Sequence, residues 1–375
     1  MAFTRSIMSA NKHAQVLKSS YPWTKGPLVV GAPMRIISGP ALALKISGAG
    51  GLGFIGPGAK PEHLHDTLKE AKAQLKQDSA DAGPLYGGKK HDVLPIGTGF
   101  QTWAGDLKVA TEALSKTRVA AVWLFAPRHG HEELSEWTKG IREASPETKI
   151  WIQVASVKDA IAAATSKDAP DVLVIQGTDA GGHSLKKSAG IMTLLPEVAD
   201  ALQNTIGSEA ADKIPLIAAG GIIDSRGAAA ALALGASGVA LGTRFLASHE
   251  ANLSRGYQDH VVGASDGGQT TVRTQHYNHL RGTMDWPEEF DARGLINQGW
   301  RDHAGGMDFE ESKRRHDEAM KKGDEAWGEY GRTATYAGTG VGLVREVKSA
   351  AEIVQEVRGG VQEVLNGAQE VATMR

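Results

Sequence analysis

Apolar residues in this chain come in eight short runs, each stopped by glycine, proline or a polar turn. They fall at 28–33, 52–56, 93–100, 119–127, 149–155, 171–177, 215–219 and 238–243. Runs this short and this uniformly apolar read as strands buried on both faces. Between them, segments such as 62–77, 107–116, 132–143, 157–165 and 191–202 carry apolar residues at helical spacing. Strands alternating with helices imply right-handed crossovers and a parallel sheet. Eight units over roughly 220 residues predict an α/β fold of the closed (β/α)8 or TIM-barrel type, whose usual size is about 250 residues. An open doubly wound sheet needs a reversal of strand order, which the pattern does not reveal.

The last helix is delayed. Residues 266–340 interrupt the alternation with glycines, the triplet Asp285-Trp286-Pro287 and the charged run 310–322, which reads as a solvated helix face. Residues 344–365 return to helical spacing and would close the barrel. The expected organisation is a barrel from 1–265 and 341–375, with 266–340 inserted after the eighth strand. That insertion leaves from the face where barrels carry their active sites, so it is expected to form a lid or substrate-side wall. The residues before 28 read as a polar leader.

Composition narrows the chemistry. Hydrophobic residues make up 41% and charged residues 22% of the chain, as in ordinary globular proteins. A net charge of −2 gives no electrostatic reason to expect nucleic acid or an anionic membrane as partner. No stretch is long and apolar enough to span a bilayer, and the N-terminus lacks the apolar core of a secretory signal, so a cytoplasmic protein is expected. There is no cysteine, which excludes disulfides, thiolate metal sites and a thiol nucleophile. The pairs His63/His65 and His129/His131 have no acidic partner in a ligand motif, and no metal is expected. The 46 glycines cluster at the ends of the apolar runs, where turns or a close ligand approach need them.

Two of those ends stand out. Residues 215–219 run into Gly220 and Gly221, followed by the N-cap types Asp224 and Ser225 and an alanine-rich helix. The next strand ends at Gly242 and Thr243. Adjacent loops of this kind, after strands seven and eight of a barrel, make a phosphate site. One loop earlier, residues 176–184 read QGTDAGGHS. His183 falls on that strand-end loop, beside two glycines that clear space, and is a candidate general acid or base near neutral pH. Met34 follows Ala32 and Pro33 at the end of the first strand. It is either core packing or a soft contact for a flat ring. Thr98 and Gln153 are polar positions in apolar strands, either satisfied internally or directed at a ligand in the barrel mouth. The glycine-rich segment 48–58 follows a helix and enters a strand, the reverse of the dinucleotide fingerprint.

The segments GAPM (31–34), QGTDAGGH (176–183), AAGGI (218–222) and LGTRF (241–245), resuming at AGTGVGLV (337–344), resemble the nitronate monooxygenases, which are FMN-dependent TIM barrels. The resemblance implies that Ala219, Gly220, Gly221, Gly242 and Thr243 hold the FMN phosphate. It also implies that Ala32, Pro33 and Met34 line the isoalloxazine, that Gly181, Gln153 and Thr98 lie close to the cofactor, and that His183 is catalytic. Gln153 stands where some bacterial relatives carry lysine. The implied reaction is oxidation of nitronates, or of nitroalkanes after proton removal, by O2 to carbonyl compounds and nitrite. An FMN-dependent enoyl-[acyl-carrier-protein] reductase or NADH:quinone reductase of the same superfamily is the alternative, since such barrels share the AAGGI and GTRF segments. They would use NADH, and the enoyl reductase an acyl-carrier partner. A barrel that binds flavin without catalysis is a third reading. IMP dehydrogenase chemistry is excluded by the missing cysteine.

Overall fold

The computed structural model describes residues 2–58, 61–82 and 93–374. Numbered in chain order, its strands are β1 Leu28–Gly31, β2 Leu52–Ile55, β3 Val93–Gln101, β4 Arg118–Phe125, β5 Lys149–Val154, β6 Val172–Gln176, β7 Gly182–Leu185, β8 Leu216–Ala219, β9 Gly238–Leu241, β10 Thr271–Thr274 and β11 Phe290–Leu295. Eight of them close a parallel barrel in the order β1-β2-β3-β4-β5-β6-β8-β9. The seam pairs Leu28 to Gly31 with Gly238 to Leu241. All eight expected strands are present, and β8 and β9 are the seventh and eighth of the barrel.

The period-2 geometry of a strand sorts its residues between two apolar layers. Val30, Phe54, Trp123, Trp151, Val174, Ile217 and Ala240 turn inward, whereas Val29, Val122, Ile152, Ile175 and Val239 meet the surrounding helices. Inside, Phe54 contacts Trp123 and Trp151 with ring centroids 5.2 Å away in each case. The interior is therefore a packed aromatic core rather than a pore.

The supposed leader contains a helix, Ala2–Ser20. The Tyr21 hydroxyl behind it accepts a 2.7 Å hydrogen bond from Trp151 Nε1, which ties this segment to the barrel interior. The helix expected ahead of the glycine-rich segment 48–58 is Pro40–Gly48, which packs against β2. The C-terminal segment is not one helix. A 3-10 turn, Thr339–Leu343, precedes helices Ala350–Gly359 and Val361–Thr373, so Val344 and Val347 lie before the helical part. Ser349 and Glu352 form a capping box that fixes the helix start.

The largest departure is β7. Residues expected as a loop pair antiparallel with β11, His183 opposite Ala292, and β10 completes a three-stranded sheet. His183 thus belongs to a sheet shared with the chain excursion after the eighth barrel strand. That excursion leaves and rejoins the barrel at one place, where Ser248 bridges Lys348. Among the described residues no helix is long and apolar enough to cross a membrane.

Candidate active site

A cavity of about 770 Å³ opens at the C-terminal ends of the barrel strands. Ala32, Pro33 and Met34 form part of its wall, as do Gln153, Gly181 and His183. A smaller cavity of about 70 Å³ lies against Ala219, Gly220, Gly221, Gly242 and Thr243. The two share Ala32, Gln153, Gly181, Gly242 and Thr243 and are continuous. The structure thus gathers all the residues singled out from the sequence except one. Thr98 is fully buried, and its hydroxyl lies 3.5 Å from the Ile55 carbonyl oxygen. Alternation explains this. Gly97 and Gly99 face Phe54 and Pro33 inside, so Thr98 shares the outer face with Ile96 and Phe100. From this strand Gln101 reaches the cavity instead.

The small cavity is built from backbone. Gly220 and Gly221 take φ of 96° and 77°, which exposes peptide N–H groups at a turn that side-chained residues rarely adopt. Among the described residues its lining contains no charged side chain. Asp224 accepts from the N–H groups of Arg226 and Gly227, so the helix Ser225–Ala233 is capped by its own chain. The strand-end glycines, rather than that helix, therefore offer the cradle. The short turn Thr243–Leu246 begins at Gly242 with no side-chain cap. Segment 337–340 closes the far side: Gly338 N–H donates to Thr243 Oγ1 at 3.0 Å, and the Thr339 hydroxyl donates to Asp179 at 3.0 Å. At Gly181 an added methyl would stand 2.4 Å from the Ala337 carbonyl carbon, so the loop and this segment meet only because the residue is glycine.

The polar residues of the mouth are specific. Gln153 Oε1 accepts a 2.9 Å hydrogen bond from Trp123 Nε1. Gln176 Nε2 donates to the His183 carbonyl at 3.4 Å, while its Oε1 is buried on the cavity wall without a partner among the described residues. A buried oxygen of this kind is costly unless a ligand completes it. A glycine cradle, an adjoining cavity of about 770 Å³ and an orphaned amide oxygen together fit a phosphorylated, planar cofactor.

His183 Nε2 lies 2.9 Å from Asn278 Oδ1. The Trp286 indole stacks on its ring at 3.7 Å, and Tyr336 stands at 5.7 Å. Burial pushes the His183 pKa down to about 3. The Asn278 hydrogen bond opposes this, and Arg281, Arg35 and Arg273 add to it. The imidazole is therefore uncharged at neutral pH. Arg35 and Arg281 line the cavity mouth, and each lies outside every ion pair among the described residues. Helix Phe309–Met320 carries the charged run. Arg314 pairs with Glu311 and Glu318, as a solvated face would, yet Lys313, His316, Asp317 and Met320 line the cavity. Among the described residues no group of three His, Asp or Glu side chains could hold a metal.

Asn278, Trp286, Tyr336, Arg35 and Arg281 escaped the sequence reading. The Asp285-Trp286-Pro287 triplet was visible, but no local pattern ties it to a histidine so far upstream.

A closed parallel barrel with a glycine cradle at its seventh and eighth strands and a histidine above it defines a TIM-barrel enzyme site. The nitronate monooxygenase family model matches residues 140–359, and the chain belongs to that family. It is 55% identical over 356 residues to nitronate monooxygenase npaC of Metarhizium robertsii, covering 95% of this chain and 96% of that protein. It is 34% identical to a nitronate monooxygenase of Neurospora crassa, with 97% of each chain covered. Among solved structures, FabK from Thermotoga maritima superposes with a TM-score of 0.70 at 24% identity, covering 95% of this chain and 98% of that one. A nitroalkane oxidase from Streptomyces ansochromogenes gives 0.68 at 23%, covering 94% and 99%. Those two likenesses concern the fold. The chain is an oxidoreductase of a flavin-dependent family that acts on small molecules.

Proposed function

We propose that this enzyme uses FMN to oxidise alkyl nitronates with O2 to carbonyl compounds and nitrite, and that it accepts neutral nitroalkanes that His183 first deprotonates. The carrying observation is an uncharged histidine on the wall of a cavity continuous with a glycine cradle. Gly220, Gly221, Gly242 and Thr243 would hold the phosphate of FMN, and Ala32, Pro33, Met34 and Gly181 would border its ring. Bound FMN supplies the one-electron and oxygen chemistry. The chain's own residues do the rest. Arg35 and Arg281 raise the local concentration of an anionic nitronate. His183 takes the α-proton from a neutral substrate. Residues 266–340 form the substrate-side wall and, with Trp286 over His183, exclude water.

The test is a visible spectrum of the purified protein, followed by oxygen uptake and nitrite release with propyl-2-nitronate and 2-nitropropane. A flavin spectrum with both activities is expected. NADH oxidation with an enoyl thioester, and no oxygen uptake with either nitro compound, would overturn the reading.

A further inference from the structure

We infer that Asn278 is a positioning residue that holds His183 in the Nε2–H tautomer, leaving Nδ1 as the only ring nitrogen able to accept a proton. The inference rests on the proposed role of His183 for its consequence in turnover, but its structural content does not.

The direction of every hydrogen bond follows from one fixed end. The backbone carbonyl of Phe290 can only accept, and the Gln275 side chain bonds to it through Nε2. Gln275 must therefore present Oε1 on its other side. Asn278 meets that oxygen with Nδ2 at 2.8 Å. The Asn278 amide is thereby oriented with Oδ1 away from Gln275. Two groups converge on Oδ1: His183 Nε2 at 2.9 Å and the Tyr336 hydroxyl at 3.1 Å. An amide oxygen has no proton to give, so Nε2 must carry one.

The chain of contacts is not adventitious surface bonding. Asn278 is fully buried, and Phe290, Gln275 and Asn278 all belong to the excursion. Its sheet also holds the backbone of His183 through the β7–β11 ladder. The imidazole is thus fixed twice, by its strand and by its ring. A neutral acceptor also leaves the ring uncharged, whereas a carboxylate at the same place would favour imidazolium. The other charged or titratable groups around the ring are Arg281, Arg35, Arg273 and Tyr336.

The experiment uses the FMN-loaded enzyme with 15N-labelled histidine, His183 being assigned by its loss in His183→Asn. The wild-type spectrum should show His183 protonated at Nε2 and not at Nδ1. In Asn278→Leu the tautomer should become mixed or reversed, and kcat for 2-nitropropane should fall about 10²-fold, as general-base catalysis is worth. Asn278→Asp should restore the Nε2–H signal and move the acid limb of the pH–rate profile upward by a unit or more. Wild-type His183 protonated at Nδ1 overturns the proposal, whether or not any variant folds. So does an Asn278→Leu enzyme that keeps the wild-type tautomer and pH profile. Absence of nitroalkane turnover in the wild type would sink the functional reading alone, because the tautomer is read from the spectrum.

Discussion

The Trp286 indole lies flat on the His183 imidazole, with ring centroids 3.7 Å apart and planes 6° from parallel. One ring belongs to β7 and the other to the excursion that pairs with it. Trp103, at 5.0 Å from Trp286, and Phe125, at 6.3 Å, continue the aromatic wall. This wall helps exclude water from one face of His183 and so helps depress its basicity. Trp286→Ala should readmit water and raise the His183 pKa from about 3 toward its ordinary 6.5. The acid limb of kcat/KM for a neutral nitroalkane should then move upward. An unchanged limb would mean that Trp286 has no part in the depression.

His183→Asn should retain the flavin absorbance, because the cradle is built from other residues. Turnover of neutral nitroalkanes should fall by about 10²- to 10⁴-fold. Steady-state oxygen uptake together with the visible spectrum checks both halves. Full turnover would remove His183 from the chemistry.

Gly181→Ala tests the cradle's closure. The new methyl would meet the Ala337 carbonyl carbon and the Gly338 nitrogen, each at 2.4 Å, and both are backbone atoms. The 337–340 segment must move, and with it the Gly338 bond to Thr243. The expected result is protein purified with little FMN and a weakened affinity in fluorescence titration. Wild-type FMN affinity would show that this contact does not shape the phosphate end.

Arg35 and Arg281 repel one another at the mouth, with no carboxylate paired to either among the described residues. Arg35→Gln should lower kcat/KM for a nitronate several-fold and flatten its dependence on ionic strength, because steering of an anion is screened by salt. The measurement is kcat/KM against salt concentration for the wild type and the variant. Equal slopes would exclude steering.

Stability should also depend on pH, with a sign set by buried neutral histidines. Burial lowers His183 to about 3, and His260 and His276 to about 4. The unfolded chain binds these protons near pH 6.5, before the folded chain does. The contribution of these three histidines is therefore constant above about 6.5 and falls as pH drops from there toward 4 and then 3. His276→Gln should flatten the fall of Tm between pH 6.5 and 4. His276 is a useful probe because it stacks on His303 at 3.9 Å and makes no contact with the His183 ring.

The barrel was legible because parallel strands buried on both faces are apolar throughout and end where glycine permits a turn. That same uniformity hid which face each residue takes. Gln153 and Thr98 look alike in sequence, as polar residues within apolar runs. Alternation sends Gln153 inward with Trp151 and Thr98 outward with Ile96. The cradle was legible because a glycine pair at one strand end and Gly242-Thr243 at the next have few other uses. β7 was not, because Gly-His-Ser-Leu has no strand signature of its own. It becomes a strand only when β11 arrives beside it. Asn278 stayed hidden for the same reason, since its partner His183 lies 95 positions away and only the folded sheet joins them.

The bridge between Ser248 and Lys348 has a consequence for how such enzymes diversify. Lys348 N–H donates to Ala247, and His249 N–H donates to Lys348, so the two ends of the excursion are stitched side by side. Seen from the barrel, everything between them spans almost no distance. The entropy of closing such a loop grows only slowly with its length. Insertions, deletions or replacements between these ends leave the barrel's strand ladder untouched, provided that 337–340, which closes the glycine cradle, is kept. A lineage can in this way rewrite the wall above the barrel wherever the change spares that segment.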